Sequence, residues 1–139
     1  MKRKKFTSEY YVLVGGEVDP GETPEQALVR EVKEETQLEV HDPRLVFVEE
    51  AGQPFGTQYI YLAELTKDGE PMLHPDAPEH VVDSMGNSLH YPMWVKTSEL
   101  ERLPFRSQTL KETLLDALKK GFPEQPQTII PREDIRYTE

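Results

Sequence analysis

"YYVLVGGEVDPGETPEQALVREVKEETQL", residues 10–38, is the stretch whose reading decides the fold. Tyr10 to Val14 is aromatic and β-branched and stops at Gly15-Gly16, which predicts a buried strand. Thr23 then stands where a helix N-cap belongs. Pro24 suits the first helical position, and Gln26 completes a T-x-x-Q capping box, so the spacing predicts a helix over residues 24–36. From 15 to 38 seven side chains are acidic and six of these are glutamates. Residues three and four apart share a helix face, so Glu31, Glu34 and Glu35 bring their carboxylates to one patch. Arg30, four before Glu34, can brace it, and Glu22 lies in the turn ahead of the helix, where it can fold back toward the same face. Crowded carboxylates repel unless a cation sits among them, and an oxygen-only site suits Mg2+, Mn2+ or Ca2+. A solvated acidic helix face is the other meaning of such a run. An EF-hand calcium loop is excluded, because the D-x-[DN]-x-[DN]-G spacing is absent.

Outward from this stretch, strands are expected at Arg44–Ala51, Thr57–Leu65 and Met93–Val95, the first two joined by a Gly/Pro turn at 52–56. Residues 66–90 read as a long polar loop, broken by Gly69, Pro71, Pro75, Pro78 and Gly86. Ser98 with Glu101 predicts a short capped helix. A longer helix is expected over Gln108–Lys120, with Leu110, Leu114, Leu115 and Leu118 on its apolar face and Gly121 as C-cap. From Phe122 to Glu139 three prolines predict an extended tail. Strands mixed with helices give an α/β or α+β layered fold, here a single domain over 1–139.

Composition narrows the function classes. The chain has 139 residues, no cysteine and a net charge of −10. Disulfides and thiolate chemistry are excluded, and broad binding to a nucleic-acid polymer is disfavoured. No apolar run approaches the ~20 residues of a membrane-spanning helix, and no apolar segment follows the basic start "MKRKKF" as in a signal peptide. Lys2 to Lys5 read as a solvated terminus, and a cytoplasmic location is the expectation. An acidic protein that takes a phosphorylated small molecule needs metal cations to bridge the two sets of negative charge.

The opening stretch resembles the Nudix box. That pattern is Gly, five residues, Glu, seven residues, Arg-Glu-apolar, one residue, Glu-Glu, one residue, Gly, apolar. Gly16, Glu22, Arg30-Glu31-Val32, Glu34-Glu35 and Leu38 all fall in place, and Gln37 stands where the family has glycine. The box spans 23 of 139 residues, and the flanking strand, a Trp-Val segment and a C-terminal helix are similar to many Nudix domains. The resemblance implies a mixed β-sheet sandwiched between α-helices. It implies Mg2+- or Mn2+-dependent hydrolysis of a diphosphate linkage in a small nucleoside diphosphate joined to a group X. ADP-ribose, a nucleotide sugar and a dinucleoside polyphosphate are alternative substrates. A non-catalytic nucleotide-sensing module is the alternative from another class, opposed here by the complete set of box glutamates.

Carried over by position, the metal ligands implied are Glu31, Glu34 and Glu35 with the backbone carbonyl of Gly16. Glu34, or a residue outside the box, would take the proton of the attacking water, with Glu22 and Arg30 as the orienting brace. A distal carboxylate is expected from the 67–90 loop, with Glu79 first among Asp76, Glu79 and Asp83, against a reading of all three as solvated; Glu49 and Glu50 are further candidates. Tyr59 and Tyr61 share a strand face and are candidates for stacking on a base, as are Tyr10, Tyr11, Phe55, Tyr91 and Trp94, although strand aromatics also serve as core. His74, His80 and His90 read as solvated. Arg3, Lys5 and Arg106 are candidates for terminal phosphates and are not ranked. Gln37 is expected to reshape the turn that ends the helix, and Val14 replaces a common proline. Only 14 residues precede Gly15, where the family has a longer strand-rich segment, so a shortened start and a homodimer are also expected.

Overall fold

Thr23 starts the first helix as a true cap. Its side chain accepts from the Gln26 N–H at 3.1 Å, and the Gln26 side chain accepts from the Thr23 N–H at 2.9 Å, so both arms of the capping box are present. The computed structural model describes residues 1–6, 8–52, 56–73, 75, 79–80, 86 and 88–131. In chain order these form β1 (Lys2–Lys5), β2 (Ser8–Tyr11), α1 (Pro24–Thr36), β3 (Val40–Glu50), β4 (Thr57–Leu65), β5 (Ser88–Tyr91), a 3-10 helix (Thr97–Arg102), α2 (Gln108–Lys120) and β6 (Gln127–Ile129). The strands and helices fall into two compact units, Met1–Asp42 with Ala63–Trp94, and Pro43–Leu62 with Val95–Glu139.

The first unit carries an antiparallel sheet of order β2-β1-β5. Its central strand is the basic run that reads as a solvated terminus. Instead, Lys2 pairs with Tyr11 and Tyr91, and Arg3 with Tyr10 and His90. Long Lys and Arg stems can lie along a sheet, and the Arg3 guanidinium sits 6.0 Å from the Tyr10 ring centre. The strand predicted at 10–14 is shifted toward the N-terminus, ending at Tyr11, and it is half-buried to exposed rather than buried. In α1, Ala27, Val32, Glu35 and Thr36 are buried. The helix ends at Gln37, whose backbone is left-handed (φ 60°, ψ 10°) and whose N–H closes on the Lys33 carbonyl. The turn thus keeps the conformation that glycine favours. A left-handed non-glycine residue costs about 1–2 kcal/mol, which is offset here by a side-chain hydrogen bond from Gln37 Nε2 to the Leu73 carbonyl at 3.2 Å.

The second unit is built around β3, with strand order β4-β3-β6 and β6 parallel to β3. Val46 and Phe47 are adjacent and both buried, so both faces of β3 are covered, as a continuous apolar run predicts. Ile60, Leu110, Ala117 and Ile129 complete the core, with Phe105, Leu114 and Phe122 packed against it. Leu118 is 44% exposed, so the buried stripe of α2 runs through Leu110, Leu114 and Ala117, not through all four leucines. Ser107 caps α2, accepting from the Leu110 N–H, and donates to the buried Glu49 at 2.7 Å. The expected strand at Met93–Val95 is absent, and β5 lies earlier in the chain. The short helix begins at Thr97, with no side-chain cap from Ser98. Residues 127–129 of the extended tail form β6, and residues 132–139 lie outside the described part.

Candidate metal and catalytic site

The strand-to-helix passage sets the geometry of the acidic patch. After β2 the chain reaches Gly15, whose N–H donates to Glu35 Oε2 at 3.0 Å, tying the glycine pair to the last turn of α1. A Cβ placed on Gly16 would overlap the carboxylate of Glu31, so only glycine lets the backbone lie against that side chain. Gly16 has no left-handed backbone, so Gly16→Ala tests this contact alone. We expect that variant to keep the wild-type urea midpoint and to lose about tenfold to a hundredfold in hydrolysis, read as phosphate release, as displaced catalytic groups do.

Arg30 organises the acidic side chains around it. Its Nη2 donates to Glu22 Oε1 at 2.6 Å and to the Glu17 carbonyl at 3.0 Å, while Nη1 donates to Glu31 Oε1 at 2.8 Å and to both Glu34 oxygens at 3.5 Å. Asp19 lies 3.4 Å from Nη2, and its N–H donates to Glu22 at 2.7 Å. Charge-assisted forks of this kind fix orientation as well as energy. The Arg30 hydrogen bond holds Glu22 below the usual carboxylate range, and Glu22 in turn raises Arg30 further. Glu22 and Arg30 thus form one brace, with Glu31 and Glu34 on its other arm.

Three carboxylates converge beside that brace. Glu31, Glu35 and Glu79 offer oxygen atoms within 4.8 Å of one another. Burial pushes Glu31 up, against the pull of Arg30. Burial, and then the neighbouring charges of Glu79 and Glu31, push Glu35 up to about 8 despite the Gly15 hydrogen bond. Glu79 Oε2 is buried and has no hydrogen-bond partner among the described residues. An orphaned carboxylate oxygen beside two others pushed up by burial is the environment a hard divalent cation satisfies. The residues present therefore fit Mg2+ or Mn2+.

Glu34 lies outside this trio, held loosely by Arg30. Tyr59 and Tyr61 belong to the second unit, on β4 with buried Ile60 between them. Glu49 is taken by Ser107, and Glu50 accepts from Thr57 at 3.2 Å. His80 is exposed and His90 lies in β5. Phe55, His74, Asp76 and Asp83 lie outside the described residues. His41, which carried no special sequence signal, joins Asp42 and Glu64 in a second close group. All three are exposed, and His41 is hydrogen-bonded to Thr66 and Glu64.

A glycine pair, an arginine brace and converging glutamates, two of them on one capped helix, define a class. Residues 1–117 match the NUDIX domain, and the chain belongs to that family. A relative from Stutzerimonas stutzeri (strain A1501), described as NAD-capped RNA hydrolase NudC, is 25% identical over 127 residues, covering 91% of this chain. The chain spans 41% of that relative's length. A crystal structure of a nudix hydrolase family member from Chromobacterium violaceum is similar at 22% identity and a TM-score of 0.37, over 79% of this chain and 75% of that one.

Proposed function

We propose that the chain hydrolyses a diphosphate linkage in a small nucleoside diphosphate joined to a group X, with Mg2+ or Mn2+ bound. The observation that carries this reading is the convergence of Glu31, Glu35 and Glu79 around a buried, unpartnered Glu79 oxygen. Those three, with the Gly16 carbonyl, are the residues that would hold the metal, with Glu34 as a further ligand. Bound there, a divalent cation supplies charge neutralisation, polarisation of the P–O bond and a more acidic water. The chain's own side chains do the rest. Arg30 holds Glu22, Glu31 and Glu34 in place, and Gly16 leaves room for Glu31. Glu34, half-exposed and only loosely held, is the carboxylate freest to take a proton from water.

Net charge of −10 favours a small substrate over a polymer, since a nucleic-acid backbone would meet repulsion. The relative's description gives a second substrate reading, the diphosphate at a capped RNA end, which the same chemistry would cleave. Neither helix among the described residues is long and apolar enough to cross a membrane. The test is phosphate or nucleotide release from nucleoside triphosphates, ADP-ribose, nucleotide sugars, dinucleoside polyphosphates, NAD and NAD-capped RNA. EDTA is expected to abolish turnover and excess Mg2+ or Mn2+ to restore it. Turnover that persists in EDTA would sink the metal assignment.

A further inference from the structure

An open cleft of about 450 Å³ lies on the surface of the first unit, lined by the exposed residues Asp68, Gly69, Glu70 and Trp94. Its size lies within the about 300–1,000 Å³ typical of small-molecule pockets. Trp94 is the chain's sole tryptophan and is 53% exposed. Its indole N–H donates to the Gly69 carbonyl at 2.8 Å, which pins the ring and uses its only polar atom. The ring's flat π surface is left for stacking.

The segment carrying Asp68, Gly69 and Glu70 is tied to the end of α1. The Thr66 N–H donates to Glu39 and the Met72 N–H to Thr36, each at 2.9 Å, and Gln37 Nε2 reaches the Leu73 carbonyl. Leu38 Cδ2 lies 3.1 Å from where a Cβ on Gly69 would stand. The pocket wall is thus held to the end of α1, and the glutamine at position 37 is one of its anchors.

An indole face beside two carboxylates selects a particular chemistry. The carboxylates accept from N–H donors and attract positive charge, and they repel phosphate. We propose that this pocket takes a planar heteroaromatic ring carrying amino donors or positive charge at its edge, stacked on Trp94 with Asp68 and Glu70 facing that edge. The inference rests on the diphosphate-hydrolase reading, because such a ring is what a nucleotide presents away from its phosphates.

The test uses the full chain in EDTA with unphosphorylated probes, namely adenosine, cytidine, the N1-methylnicotinamide cation and, as the amino-free control, uridine. Trp94 is the only indole reporter, so its fluorescence reads occupancy directly. Adenosine, cytidine and N1-methylnicotinamide are expected to quench it saturably, with uridine at least tenfold weaker. The Asp68→Asn/Glu70→Gln double variant is expected to weaken those three at least tenfold, and Trp94→Leu to abolish their calorimetric heat. No saturable quenching, equal binding of uridine, or an unchanged affinity in the double variant would overturn the proposal. Because the probes lack a diphosphate and metal is chelated, failure here leaves the hydrolysis result standing. Saturable, edge-selective quenching by a chain that hydrolyses nothing would support the pocket and overturn the hydrolase reading in favour of a nucleotide sensor.

Discussion

Glu35→Gln is expected to lower kcat for diphosphate hydrolysis by about a hundredfold or more, the scale on which removal of one fixed charge-stabilising group acts. Glutamine keeps the shape of the side chain and its contact with the Gly15 N–H becomes weaker, but it cannot present a charged oxygen to a cation. Glu35 shares its neighbourhood with Glu31 and Glu79, so the loss should appear as weaker Mn2+ binding in calorimetry as well as slower turnover. Wild-type kcat with wild-type Mn2+ affinity would refute the assignment.

In the metal-free protein the same substitution acts on stability with the opposite sign. Glu35 is pushed up to about 8 from an ordinary 4.5. Between those values the native chain keeps a proton that the unfolded chain has released. The unfolded state therefore binds fewer protons, and stability falls as pH rises through this window. Urea unfolding in EDTA should show the wild type weakening from about pH 5 to about pH 8, in the direction linkage requires. Glu35→Gln should weaken less over the same range.

Phe47→Ala is expected to destabilise the second unit by about 3–5 kcal/mol, the usual cost of deleting a buried aromatic ring. Phe47 is 1% exposed, sits beside Val46 on a strand covered on both faces, and meets Phe122 at a ring separation of 6.2 Å and a 49° tilt. Against a typical total of about 5–15 kcal/mol, this is a large share. Leu118→Ala is the control. That side chain is 44% exposed, so its loss should cost within about 0.5 kcal/mol. Similar urea midpoints for the two variants would overturn the account of this core.

Both long helices were legible residue by residue, because their ends are set by local chemistry. Thr23, Pro24 and Gln26 mark one start, and the leucine spacing and Gly121 mark the other, whose Ser107 cap emerged only in the structure. Strands were less legible, since a strand exists only against its partners. The basic run Lys2–Lys5 became a central strand, paired locally with Tyr10 and Tyr11 of β2 and, far along the chain, with His90 and Tyr91 of β5. β3 begins at Val40, ahead of the start expected at Arg44, and runs through Pro43 with Asp42 at a left-handed φ of 50°. Leu118 looked apolar enough for the core, but the side of α2 that is covered depends on what packs there.

For the site, the sequence by itself determined the glutamate spacing, the Arg30 brace within reach of it, and the glycine pair ahead of the helix. Helical periodicity is local, so offsets of three and four already place carboxylates together. Only the tertiary structure decided which carboxylates converge. It set Glu35 and Glu31 with Glu79 from 44 residues beyond Glu35 and left Glu34 aside. It also showed that Gln37 keeps the left-handed turn and spends its side chain on Leu73, bracing the wall of the Trp94 pocket. Burial and long-range contact set these outcomes, and neither is a property of residues taken in order along the chain.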